Sequence, residues 1–214
     1  VMSNINLIIR NEKEKDNRDV EQLIREAFWN LYVPGCNEHF VLHNLRNSND
    51  FIPVLDFVAE LEGQIVGQIA YSRGIIQYKQ GEKEIISFGP VSVLPAFQKR
   101  GIGRALIIHT INLARDMGYP AICIYGDPRY YGRFGFRCAE RYAIKTADDK
   151  FAIALLALEL KQSVLNNIQG RFIESTAFSV DENESTQYDA EFPFKEKTEM
   201  ESQLEFKLLA SLRY

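Results

Sequence analysis

The residues Gln98-Lys99-Arg100-Gly101-Ile102-Gly103-Arg104 have types and spacing that could do chemistry. They follow an apolar run, Val91 to Leu94, that ends at Pro95, and they precede a long amphipathic segment, so the order reads as strand, loop, helix. Glycines at 101 and 103 let backbone N–H groups approach a ligand with no Cβ in the way. The unpaired N–H groups of the helix's first turn, with the positive end of its dipole, make an anion site. Lys99, Arg100 and Arg104 add positive charge, and the chemistry that suits the whole is a pyrophosphate cradle. The bland alternative is a strand–helix turn with solvated basic residues.

Known phosphate loops can be told apart by their residues. A Walker loop needs Gly-Lys-Ser/Thr after its first glycine and four residues, which is absent here. A dinucleotide fingerprint needs glycine where Leu106 stands and an acid about 20 residues on, where the chain has Ala121-Ile122-Cys123-Ile124. A third pattern, Gln/Arg-x-x-Gly-x-Gly/Ala after a strand ending Val-x-Pro, is matched without a gap by Gln98 to Gly103. In this the chain resembles the GNAT superfamily of acetyl-CoA-dependent N-acetyltransferases.

A second stretch extends the resemblance. Gly126-Asp127-Pro128-Arg129-Tyr130-Tyr131-Gly132-Arg133-Phe134-Gly135-Phe136 is similar to one uncharacterised bacterial branch of that superfamily. A tyrosine five residues before the Phe of a Gly-Phe pair, here Tyr131, is implied to protonate the departing CoA thiolate. A thiol has a pKa of about 8.5, and a donor at hydrogen-bond distance helps the tetrahedral intermediate collapse. The alternative is a packed aromatic beside Tyr130, Phe134 and Phe136. The resemblance also implies that Val91, Ser92 and Val93 receive the pantetheine arm, and that the Val93 N–H polarises the thioester carbonyl. The commoner family pattern has a cofactor-binding Asn where Asp127 is the nearest polar substitute. Arg133 is implied to lie near the cofactor's phosphate end, or is simply solvated. The general base is not legible: Glu60 and Glu84 are on the expected strands but badly placed, and a water relay is an equal reading.

These groups need a scaffold. Ile5 to Arg10 reads as a first strand, and Asp16 or Asn17 as the cap of a helix whose apolar face is Val20, Leu23, Ile24, Ala27, Phe28 and Leu31. A second helix is expected over 38–45. Segments 54–61, 65–78 and 84–94 read as an antiparallel meander, with Gly67 and Gly74 as bends. Pro90 removes a ladder donor and predicts a bulge or splay. The cradle helix is expected over 101–117, with Ala105, Leu106, Ile108, Ile111, Asn112 and Ala114 repeating, and Gly118 as its stop. A buried strand at 121–125, a short helix from Pro128, and closing strands at 137–145 and 151–160 complete the pattern.

The chain therefore reads as an α/β (α+β) GNAT fold, a mixed, mostly antiparallel sheet flanked by helices, over residues 1–160. Residues 161–214 read as an acidic C-terminal extension packed on that domain; its 181–205 stretch carries nine acids against two lysines but keeps Tyr188, Phe192, Phe194 and Leu204. Its end fits either a strand or a helix. The resemblance implies an N-acetyltransferase that uses acetyl-CoA as co-substrate and passes acetyl to a primary amine, small molecule or peptide, in a ternary complex. A non-catalytic acyl-CoA sensor and a longer-chain acyltransferase are the rivals. His39 and His43 lie four apart with Cys36 a turn before, a spacing that could hold a metal; no second ligand cluster exists, so no metal is expected. A substrate-contacting histidine and a plain surface helix are the other readings of that pair.

The net charge of −4 argues against a nucleic-acid partner. Three scattered cysteines, Cys36, Cys123 and Cys138, suit reduced thiols in a cytoplasmic protein. No apolar run approaches membrane-span length, and Val1-Met2-Ser3-Asn4 does not open a secretory leader. A homodimer is left open.

Overall fold

Three consecutive strands with apolar inner faces make the centre of a nine-stranded sheet in the computed structural model, which describes residues 6–214. The strands are β1 (Leu7–Asn11), β2 (Phe57–Leu61), β3 (Gln64–Tyr78), β4 (Gly81–Val93), β5 (Ala121–Tyr125), β6 (Arg137–Cys138), β7 (Ile144–Lys145), β8 (Leu155–Glu159) and β9 (Gly170–Ile173). Their order is β1-β2-β3-β4-β5-β8-β6, and β9 joins both β3 and β7. Pairing is antiparallel except at β4–β5 and β7–β9. The expected start of the first strand at Ile5 and the residues before it lie outside the described residues.

Helices α1 (Asn17–Phe28) and α2 (Glu38–Arg46) cover one face of the sheet, burying Val20, Leu23, Ile24, Leu42 and Leu45 on Val58 and Ala70. Helix α3 (Ile102–Asp116) covers the other face through Ile102, Leu106, Ile107, Ile111 and Ala114. Leu106, Ile111 and Ala114 face inward as expected, but Ile107 and Thr110 are buried where Ile108 and Asn112 were expected, and these two are exposed. Thr110 bonds the buried Tyr71 hydroxyl at 2.9 Å, which pins α3 to β3.

Some expected features take another form. Gly67 is a close approach rather than a bend, since a Cβ there would lie 3.1 Å from Ile102 Cγ2 and 3.2 Å from Leu106 Cδ1. Gly74 likewise makes room for Phe172 of β9. Asp16 does not cap α1; its carboxylate takes the Lys13 N–H and the Arg10 guanidinium. The expected strand over 137–145 is broken by a short helical turn at Ala139–Tyr142. Phe28 and Leu31 are only half-buried because they line cavities instead of the core. Cys36, Cys123 and Cys138 are free thiols, and among the described residues no helix is long and apolar enough to cross a membrane.

Beyond residue 160 the chain adds β9 to the sheet, then α4 (Pro128–Tyr131) of the central region is faced across a cavity by α6 (Glu201–Ser211), which follows α5 (Glu182–Asp189). The 201–211 segment is therefore helical. Asp189 at the end of α5 is the anchor. It pairs with Arg25 Nε at 2.7 Å and lies 3.1 Å from His39 Nε2, and both partners are essentially inaccessible to solvent. Burial outweighs Asp189 and lowers the His39 pKa to about 4, so the ring is neutral at pH 7. His39 is thus a core residue beneath α5, not a surface one.

Asp189→Ala strands the Arg25 charge in the interior. We expect a loss of about 2–3 kcal/mol, below the full cost of a wholly buried pair because Asp189 keeps some solvent contact. Thermal melting of the two proteins measures it; an unchanged melting temperature would show that this contact does not hold the extension down.

Candidate active site

The site begins where the sheet stops pairing. β4 and β5 share one register pair, Ile86 with Ile122. On the other side of β4, the Leu94 N–H donates to Val66 O, and the register there runs Gly67 with Val93 and Gln68 with Ser92. Antiparallel ladders alternate, so Leu94 and Ser92 bond towards β3 while Val93 and Val91 point their N–H and C=O groups into the gap towards β5. The expected disruption at Pro90 is present as a register shift between Ile69 and Tyr71. Gln68, fully buried, braces it by donating Nε2 to Pro90 O and to Ser92 Oγ.

The loop after β4 arranges the cradle. Lys99 and Gly101 both have positive φ, 61° and 84°, on either side of Arg100, an alternation that gathers backbone N–H groups into a concave nest. α3 has no side-chain N-cap, and its first internal bond is Ala105 N–H to Gly101 O, so among the described residues the N–H groups of Ile102, Gly103 and Arg104 have no acceptor. Ile102 is buried and anchors the turn. A Cβ at Gly101 would meet nothing within 4 Å, so its requirement here is the left-handed backbone alone. Gln98 is exposed and donates Nε2 to Val93 O at 3.1 Å, closing the loop onto the strand. Lys99, Arg100 and Arg104 are exposed, and Arg100 lies over the Phe97 ring at 5.3 Å.

Across the gap, α4 carries Tyr131. Asp127 caps it, taking the Arg129 N–H at 2.8 Å and the Arg129 guanidinium at 2.7 Å, and this pairing lowers its pKa. The carboxylate is thus already engaged. Arg133 lies over Tyr130 at 4.7 Å. Tyr131 packs among Phe88, Tyr130 and Phe136 with ring centroids 4.9 to 5.9 Å away. Burial pushes its phenol well above the ordinary value, which keeps it protonated at neutral pH.

Three cavities meet at this point. One of about 300 Å³ is lined by Val91, Ser92, Val93, Gln98, Gly103, Asp127, Tyr130 and Tyr131. A second, of about 440 Å³, lies on the α1–α2 side and includes Glu38, Ser87, Val91, Tyr131, Glu174 and Phe178. A third, of about 540 Å³, is largely apolar and lies under α6. Tyr32 and Tyr125 line all three. The cradle, the open strand edge and Tyr131 are therefore brought together, while Arg133 sits behind Tyr130. Neither expected carboxylate is near: Glu60 pairs with Arg10 at 3.0 Å, and Glu84 is at the far end of β4 beside Met117 and Lys161. Besides Asp127, the carboxylates that line the two cavities with Tyr131 in their walls are Glu38, which is half-buried and raised by that burial, and Glu174, which is exposed. Glu38 opens α2 and carried no motif. Glu174 follows β9, in the part of the chain where no pattern was legible.

Comparison with known proteins identifies relatives of the chain. A family model described as an acetyltransferase (GNAT) domain matches residues 56–138. The chain is 33% identical over 127 residues to the uncharacterized N-acetyltransferase YjhQ of Escherichia coli K12, covering 59% of this chain and 67% of YjhQ. It is 25% identical over 164 residues to the uncharacterized N-acetyltransferase YhbS of the same strain, 77% of this chain and 93% of YhbS. A GNAT family acetyltransferase from Brucella melitensis, solved in complex with acetyl-CoA, superposes with a TM-score of 0.66 at 29% identity, covering 81% of this chain and 98% of that one. The E. coli YhbS structure, solved with CoA, superposes with a TM-score of 0.74 at 23% identity, covering 84% and 96%.

Gly126 sets the position of Tyr131. A Cβ there would lie 2.4 Å from Tyr131 Cε2 and 2.6 Å from Cδ2, so the ring rests directly on the Gly126 backbone. Gly126→Ala is expected to displace that ring while the fold persists. A crystal structure of the variant is the check, and an unmoved Tyr131 would contradict the packing described.

Proposed function

Since this chain belongs to the GNAT family of N-acetyltransferases, we propose that it transfers acetyl from acetyl-CoA to a primary amine by direct attack in a ternary complex. The observation that carries this reading is the open edge of β4, whose Val91 and Val93 backbone groups face the cavity that Tyr131 also lines. The residues present fit the co-substrate. The N–H groups at 102–104 and the nest at 99–101 suit a pyrophosphate, Lys99, Arg100 and Arg104 supply charge, and the strand edge suits an amide-bearing arm. Ser92 and Asp127 act through structure: Ser92 Oγ helps hold the bulge, and Asp127 holds α4.

In the proposed reaction the amine enters from the α1–α2 side and the thioester from the cradle side. The Val93 N–H donates to the thioester carbonyl, a fixed donor placed where negative charge develops. Holding both reactants in one channel supplies much of the remaining acceleration. The substrate ammonium first loses a proton, its nitrogen then bonds to the acetyl carbon, and the C–S bond breaks. Tyr131 gives its proton to the departing sulfur and regains one from the nitrogen. A second reading, transfer of a longer acyl group, is favoured by the apolar cavity under α6, which opens at Tyr32 and Tyr125. Rates with acetyl-CoA and with longer acyl-CoA thioesters decide between them.

Two variants separate binding from chemistry. Gly101→Val forces a β-branched residue into a left-handed conformation, costing about 1–2 kcal/mol locally. Because the loop is exposed, we expect a normal melt with acetyl-CoA affinity reduced about tenfold or more; a folded variant with unchanged affinity by calorimetry would remove the cradle assignment. Tyr131→Phe keeps the ring and deletes the acid. Turnover, followed by thiol release, should fall about 10²–10⁴-fold in kcat with little change in the dissociation constant for CoA. Full activity in this variant would take Tyr131 out of the mechanism. Tight CoA binding with no turnover of any amine by the parent protein would favour a sensor.

A further inference from the structure

We propose that Glu12 and Asp56 share one proton at neutral pH, and that this proton latches the end of α2 to the β1–β2 edge of the sheet. Glu12 follows β1 and Asp56 precedes β2, and the Glu12 N–H donates to Asp56 O at 3.1 Å, so the two residues stand side by side. The Glu12 side chain is 1 % exposed, and Asp56 is buried. Their carboxyl groups are within hydrogen-bonding reach of each other. Arg46, the last residue of α2, closes the cluster, because its guanidinium bonds Glu12 and, at 2.8 Å, Glu21 Oε1 of α1.

The hydrogen bonds call for the proton. Glu12 Oε2 and Asp56 Oδ1 are both buried, and neither has a donor among the described residues. Arg46 Nε is buried without a partner too, so it does not serve Asp56. Ionised carboxylates only accept, and two of them in contact repel and leave both oxygens orphaned. A protonated carboxyl is a donor, and one proton between the pair satisfies both atoms.

The charges nearby agree, since the cations are already claimed. Arg46 is shared with Glu21, which Arg18 and His43 also face, at 3.9 and 3.3 Å. Arg10 is held by Asp16 at 2.6 Å and by Glu60 at 3.0 Å, and Asp16 adds negative charge near Glu12. His109 is on the other face of the sheet, against the Phe57 ring at 4.8 Å. Asp56 has no ion-pair partner among the described residues, and full ionisation would set three carboxylates around one guanidinium. Burial, then Glu12 beside it, pushes Asp56 up to about 8, and burial raises Glu12 as well.

The pair gives the latch a pH sense. An aspartate in the unfolded chain loses its proton at about pH 3.9, whereas the folded protein keeps it to about 8. Folding therefore takes up a proton between those values. The stability it contributes is complete at the acid end, falls as pH rises, and levels off once Asp56 has ionised. Beyond that point the repelling pair bears on Arg46 and so on the last turn of α2. The first turn of the same helix, with Glu38 and Val41, walls the cavity that Tyr131 lines, so the latch holds the far end of that wall.

Asp56→Asn tests this with the full chain, since its amide supplies a permanent donor in place of the proton. Denaturant unfolding is followed from about pH 5 to about pH 9. With one proton at stake, the parent's folding constant should fall relative to the variant's by about tenfold per pH unit, levelling off near about pH 8. A ratio that does not change with pH overturns the proposal. Infrared spectra of the parent give a reading that needs no variant. A protonated-carboxyl stretch should be present at neutral pH and gone above the pKa of the pair, and Asp56→Asn, where it folds, should lack it. No such band in the parent at neutral pH, as two carboxylates bridged by water would give, overturns the proposal, and so does an equal band in Asp56→Asn. Hydrogen exchange over residues 42–46 reads the latch itself. Above the pKa of the pair it should quicken in the parent beyond the intrinsic rise with pH, and equal exchange in the two proteins overturns the latch.

Discussion

Between β4 and β5 the sheet keeps one register pair, Ile86 with Ile122, and beyond it the backbone groups of Val91 and Val93 have no neighbouring strand. Unpaired amides at partly buried positions are expensive, so a chain that keeps them must gain something in return. Here the gap is braced on every side. The Gln68 amide holds Pro90 and Ser92, Gln98 closes over the Val93 carbonyl, and Gly126 admits the Tyr131 ring against the backbone of the opposite wall. The strand edge is thereby rigid before any ligand arrives, and an arm that carries its own amides can complete the ladder at little entropic cost.

How much of this could be read from residue order follows from how local each determinant is. The bend at 99–101 and the bare helix N-terminus were legible because consecutive residues make them, and Gly101, with its φ of 84°, lies where the pattern placed it. Pro90 announced the splay because a missing N–H is a property of one residue. Tyr131 was placed by spacing from Phe136, whereas its support came from Gly126 and from Phe88 on another strand. The edge of α3's inward face was misjudged, though Leu106, Ile111 and Ala114 were placed correctly, because Thr110, a polar residue, is buried by its bond to Tyr71, some 39 residues away in sequence. Glu38 and Glu174 were illegible for the same reason: only the assembled fold puts them on one cavity. Composition pointed to an ordered tail through its aromatics, but nothing in the tail's own sequence tells that Arg25 and His39 wait for Asp189.

The tail also changes the electrostatics of the site. Its acids do not sit in one solvated patch. Asp189 is spent on Arg25, Glu191 faces Arg18, and Glu26 of α1 receives Lys195 in exchange. These pairs hold the segment against α1, and Phe192 packs under the Arg18 guanidinium at 3.6 Å. Glu174, Phe178 and Val180 are left to wall the α1–α2 cavity, and α6 to roof the apolar one. One wall of the α1–α2 cavity thus comes from residues after 160, while the rest of it, the cradle and Tyr131 come from residues before 140.

This division bears on how protons move in the proposed reaction. A phenol raised by burial is reliably protonated, but it is a weaker acid than the thiol whose anion it must quench, for which about 8.5 is the ordinary value. Taken alone, transfer from Tyr131 to the sulfur would run uphill. The tetrahedral intermediate alters that balance, because its nitrogen bears a positive charge as the C–S bond weakens. A cation beside Tyr131 favours the phenolate and lowers its pKa in that state only. The proton can then pass to sulfur as the nitrogen replaces it, with no stable phenolate formed. The same burial that makes Tyr131 a poor acid in the empty site therefore makes it responsive to the charge that only the reaction creates, an interaction realised in the transition state and absent from the ground state.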